Sequence, residues 1–153
     1  PVISASYWHQ EEKFGLRIDV SYTKWDVFKN LTVTYGNSQP PTTEVFDWRN
    51  TVYASIGGDY YLTDKFTLRA GIAVDSTPTH LSTRDPRVPD STRQMASFGV
   101  GYKASEHFEI NASYAHIFVN QAHVNSTSGT HDTVTGNFDD YGNLLSFSAQ
   151  YKF

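Results

Sequence analysis

The last nine residues of the chain, Leu145 to Phe153, alternate between apolar side chains and polar or small ones. A period of two is the period of an extended strand, because successive side chains point to opposite faces of a sheet. One face of this strand must therefore meet an apolar medium and the other a polar one. The apolar positions are Leu145, Phe147, Ala149, Tyr151 and Phe153, and the polar ones are Ser146, Ser148, Gln150 and Lys152.

The same period of two recurs along the chain, and convincing helical periodicity does not. With the last strand, about seven strands are predicted, each with an apolar band of about 9 to 11 residues, which crosses a bilayer when the strand tilts by about 45°. A final strand that ends on an aromatic residue is typical of outer-membrane barrels. The fold is therefore predicted as all-β, a transmembrane antiparallel up-and-down β-barrel. The other predicted strands are Val2 to Gln10, Phe14 to Tyr22, Val52 to Leu62, Phe66 to Asp75, Ala96 to Tyr102 and Phe108 to Ala115.

The composition of the chain excludes several classes of protein. The chain has 153 residues, a formal net charge of −4 and no cysteine, so it has neither a basic footprint for nucleic acid nor a disulfide or thiolate site. No apolar run approaches the roughly 18 residues of a membrane helix. The mean hydropathy of −0.47 is compatible with a barrel, because strands that alternate lipid-facing and interior residues average to a hydrophilic sequence.

Short and long connections alternate between the predicted strands. Barrels of the outer membrane have short periplasmic turns and long extracellular loops, so we expect a periplasmic C-terminus and three extracellular loops. The alternation resumes at Leu31 to Tyr35 in the opposite phase, which predicts one long strand with a β-bulge from Phe14 to Tyr35. The three long loops are Asn37 to Asp47, Ser76 to Thr92 and Asn120 to Tyr141.

An odd number of strands does not close an all-antiparallel barrel. An open sheet would leave two unpaired edges in hydrocarbon, where each orphaned backbone group costs several kcal/mol. We therefore expect residues 1–153 to be the C-terminal part of one outer-membrane barrel domain. The remaining strands would come from an upstream segment or from a second chain.

Two stretches carry a resemblance to a known family. Lys65 to Thr79, followed by Arg87 to Arg93, closely resembles the FadL-type long-chain fatty acid transporters of Gram-negative outer membranes. Ser21 to Phe28, Trp48 to Tyr61 and the terminal Tyr-Lys-Phe fall where that family has a tryptophan-bearing long strand, a Trp-led strand and an aromatic C-terminus. The resemblance covers nearly the whole chain.

The resemblance implies a fourteen-stranded barrel whose N-terminal hatch and first strands are absent here. It implies passive uptake of long-chain fatty acids or other hydrophobic compounds, captured outside and passed through the barrel interior, without an enzymatic step and without a cofactor. The implied location is the outer membrane of a Gram-negative cell. The implied partners are the hydrophobic ligand, membrane lipid, lipopolysaccharide, and the barrel assembly machinery through the strand that ends at Phe153.

Six residues are candidates for ligand binding. Four aromatic residues gather toward the extracellular ends of the strands, either as an interfacial girdle or as an apolar groove that first catches a hydrophobic ligand. Arg69 lies among charges on the polar face, which either pair across strands inside the barrel or meet a ligand carboxylate. Met95, on the polar side of its strand, is the sixth candidate. The aromatic residues are Trp25, Phe28, Phe46 and Trp48.

The loop from Ser76 to Thr92 carries charges between prolines. We expect it to fold over the barrel rim through ion pairs of Arg87, Asp90 and Arg93, and contact with lipopolysaccharide phosphates is the weaker alternative. The histidines and carboxylates of the last long loop match no metal-ligand spacing, so no metal is expected. Those residues are His123, His131, Asp132, Asp139 and Asp140.

Two alternatives from other classes stay open. A structural or adhesive barrel segment would use the same strands and bind partners through its outer loops. A soluble β-sandwich or lipocalin-like binder is disfavoured, because Phe, Tyr, Ile and Val side chains line a continuous face.

Overall fold

Seven strands form one antiparallel sheet in the computed structural model, which describes residues 1–127 and 132–153. The order in the sheet is β1-β2-β5-β6-β7-β8-β11, while β3 with β4 and β9 with β10 form two separate hairpins. The described part of the chain contains no helix that is long and apolar enough to cross a membrane. The strands are β1 (Val2–Gln10), β2 (Phe14–Thr23), β3 (Asn30–Val33), β4 (Thr42–Val45), β5 (Thr51–Tyr61), β6 (Phe66–Asp75), β7 (Arg93–Lys103), β8 (Phe108–Val119), β9 (Ala122–Thr127), β10 (Thr133–Phe138) and β11 (Tyr141–Tyr151).

The two faces of the large sheet differ in polarity and in exposure. The outer face carries the apolar side chains, among which Ile18, Ile72 and Phe147 are 37%, 63% and 71% exposed. The inner face carries the charged side chains, and Asp59 there is only 9% exposed. Among the described residues, only Ala122 and Val124 are fully buried hydrophobic side chains, and both belong to β9. This inside-out distribution confirms the predicted wall of a transmembrane sheet.

The register of the strands keeps each face uniform across the whole sheet. Ile56 of β5 lies opposite Ile18 of β2 and Ile72 of β6 on the outer face. On the inner face, Asp59 of β5 lies opposite Arg69 of β6. A shift of one residue in any pair would place charges in hydrocarbon, so the apolar pattern specifies this register strongly.

The predicted bulged strand from Phe14 to Tyr35 is wrong. β2 ends at Thr23, and Asn30–Val33 pairs with Thr42–Val45 outside the large sheet. Between them, the Phe28 amide donates to the Trp25 carbonyl at 2.8 Å, which closes a tight turn. The change of phase in the sequence therefore comes from a turn into a hairpin.

Two of the predicted long loops also contain strands. β4 lies within the predicted loop from Asn37 to Asp47, and the hairpin of β9 and β10 lies within the predicted loop from Asn120 to Tyr141. β11 begins at Tyr141, four residues before the predicted start at Leu145. Residues 128–131 of the last loop lie outside the described residues.

Neighbouring residues of β6 test which face meets lipid. Ile72 lies on the outer face and Ala73 on the inner face at almost the same depth. We expect Ile72→Arg to lower the free energy of unfolding by about 2 to 4 kcal/mol, because arginine in the middle of the hydrocarbon is desolvated. The matched variant Ala73→Arg should lose less than half as much free energy of unfolding. Urea unfolding of the protein in phospholipid vesicles, followed by tryptophan fluorescence, measures both; equal losses would contradict the assignment of faces.

Candidate functional site

The four aromatic residues between β2 and β5 form one cluster. The Trp48 ring centroid lies 5.2 Å from that of Trp25 and 4.9 Å from that of Phe28, and the Phe28 and Phe46 centroids are also 4.9 Å apart. Such separations are those of edge-to-face and tilted aromatic pairs. The structure thus brings together all four aromatic candidates of the sequence, and we name them the aromatic cluster.

A short backbone ladder holds the two halves of the aromatic cluster together. The Trp48 amide donates to the Phe28 carbonyl at 3.1 Å, and the Phe46 amide donates to the Lys29 carbonyl at 2.9 Å. Asp47, between the two aromatic residues, has φ of 43° and is the one positive-φ residue within the described ranges. Its carboxylate accepts a hydrogen bond from the Lys29 ammonium at 2.7 Å, and this contact lowers the pKa of Asp47.

The aromatic cluster keeps an open apolar surface. Trp25 is 38% exposed and the adjacent Val27 is 65% exposed, whereas Phe28, Phe46 and Trp48 are half-buried. The three half-buried rings support the exposed ring of Trp25 and hold this surface in place. It is an exposed apolar area whose burial by an apolar ligand would be favourable.

The loop from Ser76 to Thr92 braces the aromatic cluster from one side. The Thr83 hydroxyl donates to the Phe46 carbonyl at 2.7 Å. Arg49 donates twice to the start of the loop, from its amide to the Pro78 carbonyl at 2.9 Å and from Nε to the Thr77 carbonyl at 3.0 Å. Three groups of the loop, one hydroxyl and two backbone carbonyls, are thereby fixed against the segment that carries the cluster.

The charged residues of this loop pair differently from one another. Arg87 forms ion pairs with Asp85 at 2.7 Å and with Glu44 of β4. Arg93, at the start of β7, pairs with Asp75 at 2.8 Å and lies 3.9 Å from Asp90. Arg87 therefore ties the loop to the hairpin of β3 and β4, while Asp90 and Arg93 lie at the base of the loop.

The pKa shifts of this ion-pair group follow from its contacts. Hydrogen bonds from Arg87 hold the pKa of Asp85 well below its ordinary value and raise that of the guanidinium itself. Partial burial and the neighbouring Asp85 raise the pKa of Glu44. Asp85 therefore orients Arg87 within the loop, and Glu44 is the partner through which Arg87 reaches the hairpin.

Arg84 has a role that its sequence position does not indicate. It is 9% exposed and donates from Nε to the Thr79 hydroxyl at 3.1 Å and from Nη1 to the His123 carbonyl at 2.9 Å. The buried Thr77 donates to the Asp90 carboxylate at 2.5 Å in the same region. Arg84 thus joins the loop to β9, whose buried Ala122 and Val124 supply the apolar part of that contact.

A charge ladder crosses the inner face toward the end with the short turns. Asp59 lies between two arginines, with its carboxylate 3.2 Å from Nη2 of Arg17 and 3.3 Å from Nε of Arg69. Arg69 also donates from Nη1 to the Asn111 side chain at 2.5 Å, and its Nη2 lies 3.8 Å from Glu109. A groove of about 330 Å³ borders this ladder.

Small residues and one tryptophan shape the inner face around the ladder. A Cβ atom on Gly101 would lie 2.8 Å from Oδ1 of Asn111 and 2.9 Å from Nη1 of Arg69, so this glycine leaves room for the guanidinium. Trp8 of β1 stacks on the guanidinium of Arg17, whose Cζ atom lies 4.4 Å from the ring centroid. Trp8 and Asn111 carry no motif that marks such contacts.

Met95 lies elsewhere on the same face. The register places it between Ala73 of β6 and Ile117 of β8, four residues along β7 from Gly99, which lies opposite Arg69.

For metals, the described ranges contain no group of three or more His, Cys, Asp or Glu side chains able to hold an ion. His131 lies outside the described residues.

The sheet has its apolar side chains on the exposed face, its charges on the enclosed face, and long loops packed at one end. Such a sheet belongs to the wall of a transmembrane β-barrel. The family comparison agrees. Residues 2–153 match the family described as "Outer membrane protein transport protein (OMPP1/FadL/TodX)". The chain belongs to this family, which is one of outer-membrane transport proteins and not of enzymes.

Individual relatives show the same relationship. The chain is 24% identical to "Outer membrane protein P1" of Haemophilus influenzae, over 99% of this chain and 35% of the relative. It is 25% identical to the "Long-chain fatty acid transport protein" of Escherichia coli K12, over 73% and 26%. The crystal structure of a Pseudomonas aeruginosa FadL homologue superposes with a TM-score of 0.89 at 34% identity, over 98% of this chain and 35% of that one. The chain spans about a third of the length of the relatives that it matches over nearly its whole extent.

The two carboxylates that meet Arg87 should differ in their effect on the loops. Asp85→Asn should make cleavage of the β3–β4 hairpin by proteinase K several-fold faster at pH 7, because the partner that holds Arg87 loses its charge. Glu44→Gln should raise the rate more, because it removes the carboxylate through which Arg87 reaches the hairpin.

The pH dependence of this contact follows from the lowered pKa of Asp85. Its stabilising contribution is present above the ordinary pKa of 3.8 and is lost as the pH falls through the lower folded value. Protection of the hairpin should therefore persist from pH 7 down to about pH 4, where an ordinary carboxylate is half protonated. Loss of protection already near pH 6, or equal effects of the two substitutions, would contradict this assignment.

Proposed function

We propose that the protein containing this chain is a passive outer-membrane channel for long-chain fatty acids or other hydrophobic compounds, which are captured outside and passed through the barrel interior. The observation that carries the proposal is the braced, partly exposed aromatic cluster at the loop end of an inside-out sheet. Residues 1–153 would form the C-terminal part of a fourteen-stranded barrel, whose other strands come from an upstream segment or a second chain.

There is a physical reason why a protein channel is needed to cross the outer leaflet. Long-chain fatty acids and hydrocarbons dissolve in the acyl region of a membrane, but the charged lipopolysaccharide layer holds them outside it. A wall that encloses a path through this layer speeds the crossing without any chemical step. Neither an enzyme activity nor a bound cofactor is needed for such a channel.

The orientation that we propose places the aromatic cluster outside the cell. The connections β2–β5, β6–β7 and β8–β11 are long and leave the sheet at one edge, whereas the turns after β1, β5 and β7 are short and leave it at the other edge. Long loops of outer-membrane barrels are extracellular and short turns are periplasmic. The C-terminus, after β11, then lies in the periplasm.

The aromatic cluster supports a role in capture. Each buried apolar ring or chain segment gains about 1.5 to 3 kcal/mol from leaving water, and Trp25 and Val27 offer exposed apolar area to a ligand. The bonds from Thr83 and Arg49 keep this surface in place without a ligand. A preformed surface loses little conformational entropy on binding.

Arg69 supports a second step in the interior. Its contact with Asp59 is held at 3.3 Å, whereas Glu109 lies 3.8 Å from Nη2 and is the looser of the two carboxylates. We infer that a ligand carboxylate replaces Glu109 at this position, since a guanidinium accommodates two carboxylate oxygens. Met95, farther along the inner face, would contact the apolar chain of the ligand.

Uptake into liposomes tests the proposed function. Liposomes with the inserted protein should take up a fluorescent long-chain fatty acid faster than empty liposomes, and the rate should saturate as binding sites fill. Rates equal to those of empty liposomes would overturn transport and leave the structural or adhesive role.

Trp48 tests the capture site. Trp48→Ala removes the ring that contacts both Trp25 and Phe28, so we expect the half-saturating concentration of ligand to rise about tenfold, equivalent to about 1.4 kcal/mol, with the maximal rate little changed. Tyr35→Ala is the matched control, because it deletes an aromatic ring beyond β3, outside the cluster. A similar rise in both variants would show that loop folding, and not the cluster, determines capture.

Arg69 tests carboxylate recognition in the interior. Arg69→Gln should weaken binding of a long-chain fatty acid several-fold and leave binding of the corresponding fatty alcohol unchanged, because only the acid carries a charge for the guanidinium to meet. Isothermal titration of the detergent-solubilised protein measures both affinities. Equal losses for acid and alcohol would instead indicate a purely structural ladder.

A further inference from the structure

Three polar side chains interrupt the apolar outer face on β8 and β11. The Tyr114 hydroxyl donates to Oδ1 of Asn143 at 2.6 Å, and Nδ1 of His116 donates to the same oxygen at 2.8 Å. The register places His116 directly opposite Asn143, and Tyr114 one step farther down the same face. We name these residues the outer-face trio.

The outer-face trio lies within the apolar band rather than at its border. Above it, the aromatic pair of Phe118 and Tyr141 ends the band at the loop edge, and Phe108 and Tyr151 end it at the turn edge. With a rise of about 3.3 Å per residue and a tilt of about 40°, the two pairs are about 25 Å apart. The trio then lies about 5 to 10 Å below the outer aromatic pair, at the depth of the upper part of the acyl chains.

Two polar groups of the outer-face trio stay without a protein partner. Neither Nδ2 of Asn143 nor Nε2 of His116 hydrogen-bonds to any residue in the described ranges. Tyr114 is 45% exposed on this face, and the rings of Phe118 and Tyr141 flank His116 with centroids 4.3 and 6.0 Å away. An unpaired amide or imidazole facing hydrocarbon costs several kcal/mol, so these two groups favour a polar partner on the membrane side.

The chemistry of these two groups specifies the partner. The Asn143 amide offers two N–H donors, and Nε2 of His116 is an acceptor because Nδ1 carries the proton. Together they match a group that has both a carbonyl oxygen and an N–H or O–H, such as a hydroxylated, amide-linked acyl chain. The ester linkages of glycerophospholipids offer carbonyl acceptors only.

We propose that the outer-face trio binds the amide-linked hydroxyacyl region of a lipopolysaccharide molecule in the outer leaflet. This inference rests on the orientation given with the proposed function. Small residues next to the trio leave space for the acyl chain, since Ala96 lies opposite His116 and Ala112 lies between Val100 and Phe147. The site differs from the aromatic cluster and the inner ladder, because it faces the membrane.

Retention of lipopolysaccharide tests the site. The protein is extracted from outer membranes in mild detergent, and bound lipopolysaccharide is quantified by native mass spectrometry. We expect the double variant His116→Phe/Asn143→Leu to retain about tenfold less than the unaltered protein. Tyr114→Phe, which removes one hydroxyl, should cause a smaller loss. His9→Phe is the matched control on the outer face of β1 at the turn edge, and it should retain the normal amount.

Folding and lipid selectivity are checked in the same samples. All variants replace polar groups by apolar ones on an exposed apolar face, so heat-modified gel mobility should show normal folding. In vesicles of phosphatidylethanolamine with a minor fraction of lipopolysaccharide, the unaltered protein and the His9→Phe control should enrich lipopolysaccharide around them, and the double variant should not. Unchanged retention in the double variant, or an equal loss of phosphatidylethanolamine, would overturn the inference.

The result of the lipopolysaccharide retention test does not depend on transport. The double variant in phosphatidylethanolamine vesicles should take up fatty acid at the normal rate, because the trio faces away from the interior. Absence of uptake in every sample, with the difference in retention intact, would overturn the proposed function and support this site. Protease access to the loop end from the periplasmic side would place the trio in the inner leaflet and overturn the inference.

Discussion

Backbone hydrogen bonding is the constraint on which the rest of this structure depends. Hydrocarbon provides no partner for a peptide N–H or C=O group, so a strand that crosses it must pair along its full length. Between β1 and β11 the large sheet satisfies this requirement through antiparallel registers that run without interruption, and among the described residues only the outer edges of these two strands stay unpaired. Side chains are then sorted by the pleat alone, and apolar residues such as Ile56 and Ile72 face outward while Asp59 and Arg69 face inward.

Polar networks organise the two places where lipid does not reach. On the inner face, Asp59 is shared by Arg17 and Arg69, and the small Gly101 leaves room for the guanidinium of Arg69. At the loop edge, Arg84 and Arg87 each join the loop after β6 to a different hairpin. The loops are thus a packed layer with its own buried residues, and this layer keeps the aromatic cluster in position at the loop edge of the sheet.

The places where the structure departs from the sequence pattern have a common physical origin. The change of phase between Tyr22 and Leu31 was consistent with a bulge, but alternation records only which face a residue takes, and not which sheet the strand joins. A hairpin outside the barrel shows the same period of two as a strand inside it. The sequence carries no signal for the role of Arg84, because its contact with the His123 carbonyl joins residues that are far apart in the chain. The aromatic cluster was predicted as a group because its members flank one connection.

The sequence by itself determined the class of protein: alternation over strands long enough to cross a membrane, with no apolar segment for a helix, permits a transmembrane sheet and little else. Tertiary structure alone decided the contacts that give the sheet its sites. The register between distant strands decides which arginine meets which carboxylate and where the hairpins pack. It also brings Tyr114, His116 and Asn143 together on the outer face. A pattern of polarity is local to each strand, whereas a site is formed only when several strands are aligned.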